Sequence, residues 1–459
     1  MKAWKRLGGA LITLLALTVM LTGTAMAAEP AQKGIEVQLN GGSLAFTDAV
    51  PEITGSRTYV PFRAVLEAMG AEVGYDAQTR TVSARRDGVA VTMVPGQKEM
   101  TVTEDGQTRT VKMNAAPYIK ESNGRTYVPI RYAAEALGYT VGWDADSRAV
   151  IIVDVDALFG DATFKLMDSF AAYSEKQNTL DNAAVTGKLS IEAADRTGET
   201  LPKPVRIGGS IDGIVGEKGA QLTGKLNLSG MEALFGEFGE TPLEQAMIKA
   251  MLETLSNMNA ELRMDLEKGM LYFYLPAGLT GEENTWYSVD FSAYQAELLS
   301  ALNAAQLAQL KDAGIKESLV WVMENLPLDD VDTSYATLAE LAKVYTDMLS
   351  DQAFTKSGNT HKAKMVLEDI VNLEVTLTQR GQDIVAMDIV MTASAEEDGM
   401  KVAMTMTENA SPGKVTAKLT MTMQDEDADL KFDFDLSCAP TRKTPAVTPP
   451  ASAKIVPMS

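Results

Sequence analysis

The sequence predicts an α+β protein in which a duplicated small α+β module precedes a large antiparallel β-sheet with helices covering one face. The first observation is an internal repeat: Arg57–Gly70 reads RTYVPFRAVLEAMG and Arg125–Gly138 reads RTYVPIRYAAEALG. A match of this length within one chain indicates a duplicated structural unit. The second observation is the region Val366–Leu436, where apolar and polar residues alternate over several consecutive segments. That alternation is typical of antiparallel strands with one buried face.

Each copy of the repeat has the pattern of a strand, a short helix and a hairpin. In the first copy Thr58–Val60 is a β-branched and aromatic strand, and Pro61 suits the first turn of a helix. An apolar stripe at helical spacing follows, Gly70 is placed to end the helix, and Asp76 predicts the turn of the hairpin. The stripe residues are Phe62, Val65, Leu66 and Met69. The equivalent residues of the second copy are Pro129, Ile130, Ala133, Ala134, Leu137, Gly138 and Asp144.

The first residues of the chain have the pattern of a secretory signal peptide. Lys2, Lys5 and Arg6 precede an uncharged apolar run, and Ala25-Met26-Ala27 is a small-residue cleavage site. We expect cleavage after Ala27 and a secreted, envelope-associated protein. The alternative is an uncleaved anchor, because residues 7–28 are long enough to span a bilayer.

Composition limits the remaining possibilities. The chain has 459 residues, which predicts two or three domains, and a formal net charge of −21, which argues against binding to nucleic acid. It contains a single cysteine, Cys438, and a single histidine, His361. An internal disulfide framework and a cysteine-based zinc site are therefore excluded. We expect His361, within a polar segment, to be solvated.

A second domain is predicted over residues 161–436. It begins with a helix at 162–176 and continues with alternating strands whose apolar faces include Val185, Leu189, Ile207 and Ile211. Thr241-Pro242-Leu243-Glu244 is a capping box that predicts a helix to about residue 257. Further helices are predicted after Ser292, with Leu298, Leu299, Leu302 and Leu310 on one face, and over 334–349.

The C-terminal strands of this domain carry a wide apolar face. Because a few short helices cover such a face incompletely, we consider a cavity for a lipid-like ligand between sheet and helices. The alternative is an ordinary filled core. The residues expected to line a cavity are Met387, Met391, Met404, Met406, Met421, Phe432 and Phe434.

The tandem R-T-x-V-P-x-R helix, ending in Met/Leu-Gly and followed by V-x-Y/W-D, resembles the copper amine oxidase N-terminal, or stalk, domain over residues 34–155. That resemblance implies a non-catalytic α+β module for attachment or spacing in a Gram-positive envelope protein. It does not imply copper or a quinone cofactor, since an amine oxidase catalytic domain needs three histidine ligands and this chain has one histidine.

The long strands with intervening helices, together with the segment Leu271–Phe291, resemble the half-barrel fold of bacterial lipoprotein carriers and lipid-binding envelope proteins. In that fold the curved sheet and its helices enclose a hydrophobic cavity. The resemblance therefore implies a lipid-like ligand for residues 161–436.

Few residues suggest chemistry. Arg57, Arg63, Arg125 and Arg131 flank the repeat helices and are candidates for contacting an anionic wall polymer; alternatively, they bridge carboxylates and carbonyls within each repeat. Asp425, Asp427 and Asp429 have the spacing of the start of a calcium loop, but Leu430 and Leu436 replace its glycine and glutamate, which favours a hairpin turn. We predict no catalytic residue, cofactor or metal.

The residues 437–459 are rich in Pro, Thr and Ala and predict a disordered tail without a wall-sorting motif.

The function expected from the sequence is a non-catalytic secreted envelope protein whose partner is a cell-wall polymer or an envelope protein. The alternative is a carrier of a lipid-like ligand in the second domain. An enzyme of unrecognised class is a distant third.

Overall fold

A computed structural model describes residues 34–145, 147–177, 179–198, 204–228, 231, 241–256, 259–292, 313–324, 335–367, 370–397 and 399–458. The predicted signal segment 1–27 and the helix predicted after Ser292 lie outside these residues. The chain forms two compact units. One contains Thr163–Ile315 and Asp347–Ser459, and the other contains the module residues up to Ala162 together with Lys316–Thr346. The sequence places 316–346 with the second domain, whereas in the structure the described residues of this range, 316–324 and 335–346, group with the repeat module.

The repeat module consists of short strands and three short helices. Its strands are β1 (Glu36–Leu39), β2 (Gly42–Ser43), β3 (Glu52–Thr54), β4 (Arg57–Pro61), β5 (Glu72–Asp76), β6 (Thr81–Arg86), β7 (Val89–Met93), β8 (Glu99–Glu104), β9 (Gln107–Lys112), β10 (Tyr118–Ile119), β11 (Thr126–Pro129), β12 (Thr140–Asp144) and β13 (Ala149–Val153). Its helices are α1 (Phe62–Ala68), α2 (Ile130–Ala136) and α3 (Val155–Leu158). The strands form three sheets, in the orders β12-β13-β1-β2, β10-β11-β4-β3 and β5-β6-β7-β8-β9.

The predicted apolar stripes form the core of this module. Phe62, Val65 and Leu66 of α1 are buried, as are the equivalent residues of α2. Pro61 and Pro129 are the N-caps of their helices, one residue before the predicted position. Gly70 and Gly138 take the left-handed conformation, with φ of 78° and 83°, that ends each helix.

The two copies of the repeat meet at the antiparallel pairing of β4 with β11. Val60 lies opposite Val128, and Tyr59 lies opposite Pro129. Val60 and Val128 are equivalent positions of the repeat, and neither is exposed to solvent. A local two-fold axis between them therefore relates one copy to the other.

The second unit is built on a 14-stranded sheet. Its strands are β14 (Asn182–Asp195), β15 (Val205–Gly216), β16 (Gly219–Asn227), β17 (Asn259–Asp265), β18 (Met270–Tyr274), β19 (Thr285–Asp290), β20 (Thr355–Ser357), β21 (Thr360–Leu367), β22 (Val371–Arg380), β23 (Asp383–Glu397), β24 (Met400–Ser411), β25 (Lys414–Gln424), β26 (Ala428–Thr441) and β27 (Lys454–Pro457). Their order is β20-β21-β22-β23-β24-β25-β26-β14-β15-β16-β17-β18-β19-β27. The predicted meander is confirmed, and the pairing of β26 with β14 joins it to the earlier strands.

The remaining helices of the chain's described part are α4 (Lys165–Gln177), α5 (Pro242–Ser256), α6 (Ala277–Thr280), α7 (Ile315–Glu324) and α8 (Tyr335–Leu349). α4 and α5 contact the sheet, whereas most of α7 and α8 belongs to the other unit. α4 packs against β23, where the Ile384 amide donates to the Ser169 hydroxyl at 3.2 Å. The capping box of α5 is present, since the Thr241 amide donates to Glu244 at 3.0 Å and the Glu244 amide donates to Thr241 at 3.3 Å.

Two expectations for this unit are corrected. Residues 437–459 were expected to be disordered, but β26 continues to Thr441 and β27 pairs in parallel with β19, with Trp286 opposite Ile455. An open sheet edge supplies backbone partners that composition does not reveal. His361 is not a solvated loop residue: it lies in β21, is 8% exposed, and its Nε2 is 3.0 Å from Gln379 Oε1.

Asp351 holds the start of α4. Its carboxylate accepts hydrogen bonds from the backbone amides of Lys165 and Leu166 at 3.0 and 2.8 Å, and from the Thr163 hydroxyl at 2.7 Å. It thus satisfies amides that the first turn of a helix leaves without partners.

We predict that Asp351→Ala destabilises this unit by about 1–2 kcal/mol, the usual cost of removing a helix cap. Asp351→Asn keeps an acceptor oxygen and should retain most of that stability. The measurement is urea unfolding followed by circular dichroism. An alanine variant with the midpoint of the wild type would show that the cap contributes nothing.

Glu324 makes the stability of the other unit depend on pH. Burial, and then the nearby charges of Asp154 and Asp156, raise its pKa to about 7 from an ordinary 4.5. The folded chain therefore keeps a proton that the unfolded chain releases. This contribution to stability is fully present below about pH 4.5 and is lost as the pH rises through about 7.

We expect Glu324→Gln to remove the part of the pH dependence that Glu324 causes. Relative to the wild type, the variant should gain thermal stability between pH 4.5 and 7, since it cannot ionise. Differential scanning calorimetry across this range measures the difference, with Glu104→Gln on an exposed strand as the control. Parallel stability curves for wild type and Glu324→Gln would contradict the assignment.

Candidate functional site

The large sheet contains an apolar cavity of about 350 Å³ on its apolar face. Its lining residues belong to β14, β15, β16, the start of β17, the segment after β18, and β26. They are Gly187, Lys188, Leu189, Gly209, Ser210, Ile211, Gly224, Lys225, Leu226, Ala260, Leu275, Pro276 and Phe434. Apart from two lysines and one serine, no lining residue has a polar side chain. The cavity therefore suits a hydrocarbon better than a polar ligand.

Glycines create this cavity. Gly187 lies opposite Ile211, which lies opposite Gly224; one row further, Gly209 lies between Leu189 and Leu226. Residues directly opposite one another share a face, so the glycines leave gaps between the branched side chains of that face. A Cβ at Gly224 would meet only the Ser210 carbonyl, at 3.9 Å. None of the three glycines has a positive φ, so no turn explains their presence in the strands.

Phe434 is the one predicted cavity residue that lines the observed cavity. Met387 and Met391 are buried in the sheet, at 3% and 4% exposure. Met404, Met406, Met421 and Phe432 are partly buried, and cross-strand pairing brings Met404 to Met421 and Met421 to Phe432. These residues form the apolar face beside the cavity.

A continuous row of cross-strand neighbours connects the buried methionines to the cavity. Met391 lies opposite Met406, and the row continues across β25, β26 and β14 into the glycine region. Its later members are Leu419, Phe434, Leu189, Gly209 and Leu226. Sequence reasoning missed the glycines, although glycine inside an alternating strand is a recognised sign of close approach or missing packing.

Two of the four arginines of the repeat module contact a residue on their own helix, and the other two contact the other copy of the repeat. Arg63 pairs with Glu67 at 3.0 Å, and Arg131 with Glu135 at 3.7 Å, each one helical turn away. Arg125 binds both carboxylate oxygens of Asp48. Arg57 donates from Nε to Asn114 Oδ1 at 2.7 Å and from Nη1 to the Gly55 carbonyl at 3.0 Å. The contacts of Arg63 and Arg131 lie within one repeat, as the alternative interpretation expects, whereas Arg57 and Arg125 also reach the other repeat.

Two of these arginines also line a groove of about 370 Å³ in the repeat module. Arg57 comes from β4, whereas Arg131 comes from α2 of the other copy, so the groove forms where the copies meet. Arg63 and Arg125 are not part of it. The full lining consists of Ile53, Ser56, Arg57, Thr58, Asn114, Pro129, Ile130, Arg131, Tyr132, Val141, Gly142, Trp143 and Val150.

The acidic turn between β25 and β26 is held by hydrogen bonds and an ion pair with neighbouring residues. Asp425 accepts hydrogen bonds from the amides of Asp427 and Ala428 at 2.9 and 2.6 Å, and Asp429 pairs with Arg196. The described residues contain no cluster of three or more His, Cys, Asp or Glu side chains arranged to hold a metal ion.

Burial raises the pKa of the Cys438 thiol, which disfavours the reactive thiolate.

None of the helices in the described part of the chain combines the length and the apolar character required to cross a membrane.

Comparison with known proteins gives a family match for the repeat module. Residues 38–152 match the family model of the copper amine oxidase N-terminal domain, which is a non-catalytic stalk domain. No curated protein matches the chain. One similar solved structure is that of Ail, the attachment invasion locus protein of Yersinia pestis, in complex with the heparin analogue sucrose octasulfate. It is 6% identical, covers 57% of this chain and 99% of its own, and has a TM-score of 0.13, which carries no conclusion.

Proposed function

We propose that this protein is a non-catalytic cell-envelope protein whose repeat module acts as a stalk and whose large sheet binds a lipid-like ligand. The observation that carries the proposal is the cavity on the apolar face of the sheet, lined by Leu189, Ile211, Leu226 and Phe434 around three glycines. The stalk role is supported by the match of residues 38–152 to a stalk domain. The envelope location rests on the signal-peptide pattern of residues 1–27.

Exposure at the cavity favours a ligand over a filled core. Ile211 and Leu226 are 39% and 54% exposed, although they occupy the face that is buried elsewhere in the sheet. Contiguous exposed apolar surface costs free energy in water, at about 25 cal/mol per Å², unless something covers it. An acyl chain lying across β14, β15 and β16 would cover these side chains.

The dimensions fit a single acyl chain. A cavity of about 350 Å³ is at the lower end of the range of about 300–1,000 Å³ that small-molecule sites occupy. Lys188 and Lys225 border the cavity through their backbone. Because they alternate with its lining residues, their exposed side chains project from the opposite face of the sheet.

A cavity-filling substitution tests the proposal. Gly224→Val places a branched side chain in the open space, and we expect about a tenfold or greater loss of affinity for a fluorescent fatty acid. Its thermal midpoint should stay equal or rise, because glycine in a strand is destabilising by about 0.5–1 kcal/mol relative to alanine. Thr223→Val is the matched control: it puts the same residue on the adjacent position of the same strand, on the opposite face.

Two results would contradict the proposal. Equal affinity of Gly224→Val and Thr223→Val for the fatty acid would show that the cavity is not the place where it binds. A wild-type protein that binds no fatty acid and, after organic extraction and mass spectrometry, yields no co-purified lipid would rule out a lipid-like ligand.

A further inference from the structure

The two copies of the repeat differ in charge at equivalent positions. Asp48-Ala49-Val50-Pro51 precedes β4, and Asn114-Ala115-Ala116-Pro117 precedes β11. The structure shows that the two segments are equivalent. Tyr59 Oη donates to the Ala116 carbonyl at 3.3 Å, and Tyr127 Oη donates to the Val50 carbonyl at 3.2 Å. Asp48 of one copy therefore corresponds to Asn114 of the other.

This difference leaves one arginine without a counter-charge. Arg125 is held by both oxygens of the Asp48 carboxylate. Its equivalent, Arg57, meets the neutral amide oxygen of Asn114 and the Gly55 carbonyl, and within the described residues no carboxylate pairs with it. Since a guanidinium has five N–H donors, Arg57 keeps donors and a full positive charge at an exposed position.

Two aromatic side chains line the groove beside this arginine, whereas the equivalent positions of the first copy hold one. The groove at Arg57 contains Tyr132 and Trp143, both half-buried. The positions that correspond to them in the first copy are Ala64 and Tyr75. Tyr132 is held in place by the backbone N–H of Asn114, which donates to its hydroxyl at 2.9 Å. The side chain of Asn114 thus leaves Arg57 uncompensated, and its backbone fixes an aromatic ring beside it.

We propose that this groove binds an anionic glycan, with a carboxylate or phosphate on Arg57 and a sugar ring against Trp143 and Tyr132. A planar guanidinium suits a two-oxygen anion, and in this groove that guanidinium is Arg57, since Arg131 already pairs with Glu135. Aromatic faces offer apolar surface to the C–H face of a sugar while polar groups fix its orientation. The site is independent of the lipid cavity. Only the source of the glycan, the cell wall, rests on the proposed envelope function.

The strongest test restores the symmetry of the two copies. Asn114→Asp gives Arg57 the carboxylate that Arg125 already has, with almost no change in shape. We expect isothermal titration calorimetry of the full chain with trigalacturonate, or with glucose 6-phosphate as the phosphate-bearing sugar, to show about a tenfold or greater loss of affinity in this variant. Arg57→Gln should show a similar loss. Galactotriose, which is neutral, should bind the wild type far more weakly than trigalacturonate.

The equivalent positions provide the controls. Arg125→Gln and Asp48→Asn each alter the Arg125–Asp48 pair, which the local two-fold axis relates to Arg57 and Asn114. Neither should change the affinity for the anionic sugar. The proposal is overturned if neither anionic sugar binds the wild type, if Asn114→Asp binds as the wild type does, or if Arg125→Gln loses as much affinity as Arg57→Gln. These results do not depend on the fatty-acid measurements, so the two proposals can fail separately.

Discussion

The register of the antiparallel strands is the constraint on which the rest of this structure depends. Side chains alternate between faces with a period of two, so a shift of one residue would move every apolar side chain of a strand to the opposite face. In the large sheet the register aligns Gly187, Ile211 and Gly224 in one row and Leu189, Gly209 and Leu226 in the next. The cavity exists because these two rows are adjacent. No single strand contains it.

Register has the same importance in the repeat module. The pairing of Val60 with Val128 places the two copies around a local two-fold axis. Each arginine at the start of a central strand then reaches the segment that precedes the central strand of the other copy. The contacts of Arg57 with Asn114 and of Arg125 with Asp48 are therefore the same contact in geometry and different in charge. The duplication gives the two contacts the same geometry. They differ in charge because the carboxylate of Asp48 is replaced by the amide of Asn114 in the other copy.

The two candidate sites suit different ligands for physical reasons. The sheet cavity offers branched apolar side chains and backbone without side chains, so it gains free energy by removing hydrocarbon from water. The groove of the repeat module offers an uncompensated guanidinium and aromatic rings, so it gains from charge pairing in a chain whose formal net charge is −21. The two proposed sites therefore differ in the kind of free energy on which each depends.

Local patterns were sufficient for several parts of the structure. The repeat, its helices and terminal glycines, the capping box at Thr241 and the C-terminal meander follow from periodicity, caps and turn residues, which depend on neighbours in the chain. The apolar face that includes Phe434 was also predicted, because alternation identifies a face. Alternation does not show which residues of neighbouring strands lie opposite one another. It therefore favours the methionines as cavity residues and gives no sign that the glycines of β14, β15 and β16 are aligned.

The tertiary structure alone decided which distant segments meet. β26 pairs with β14, β27 adds to the edge at β19, and His361 is buried beside Gln379, because each backbone or side chain found a partner that lies far away in sequence or across a strand pair. The described residues of 316–346 group with the repeat module, since an apolar helical stripe specifies that a face is buried and not which surface buries it. Likewise, the sequence by itself determined that Arg57 and Arg125 are equivalent. Only the cross-copy contact decided that Asp48 neutralises one of them and Asn114 leaves the other charged.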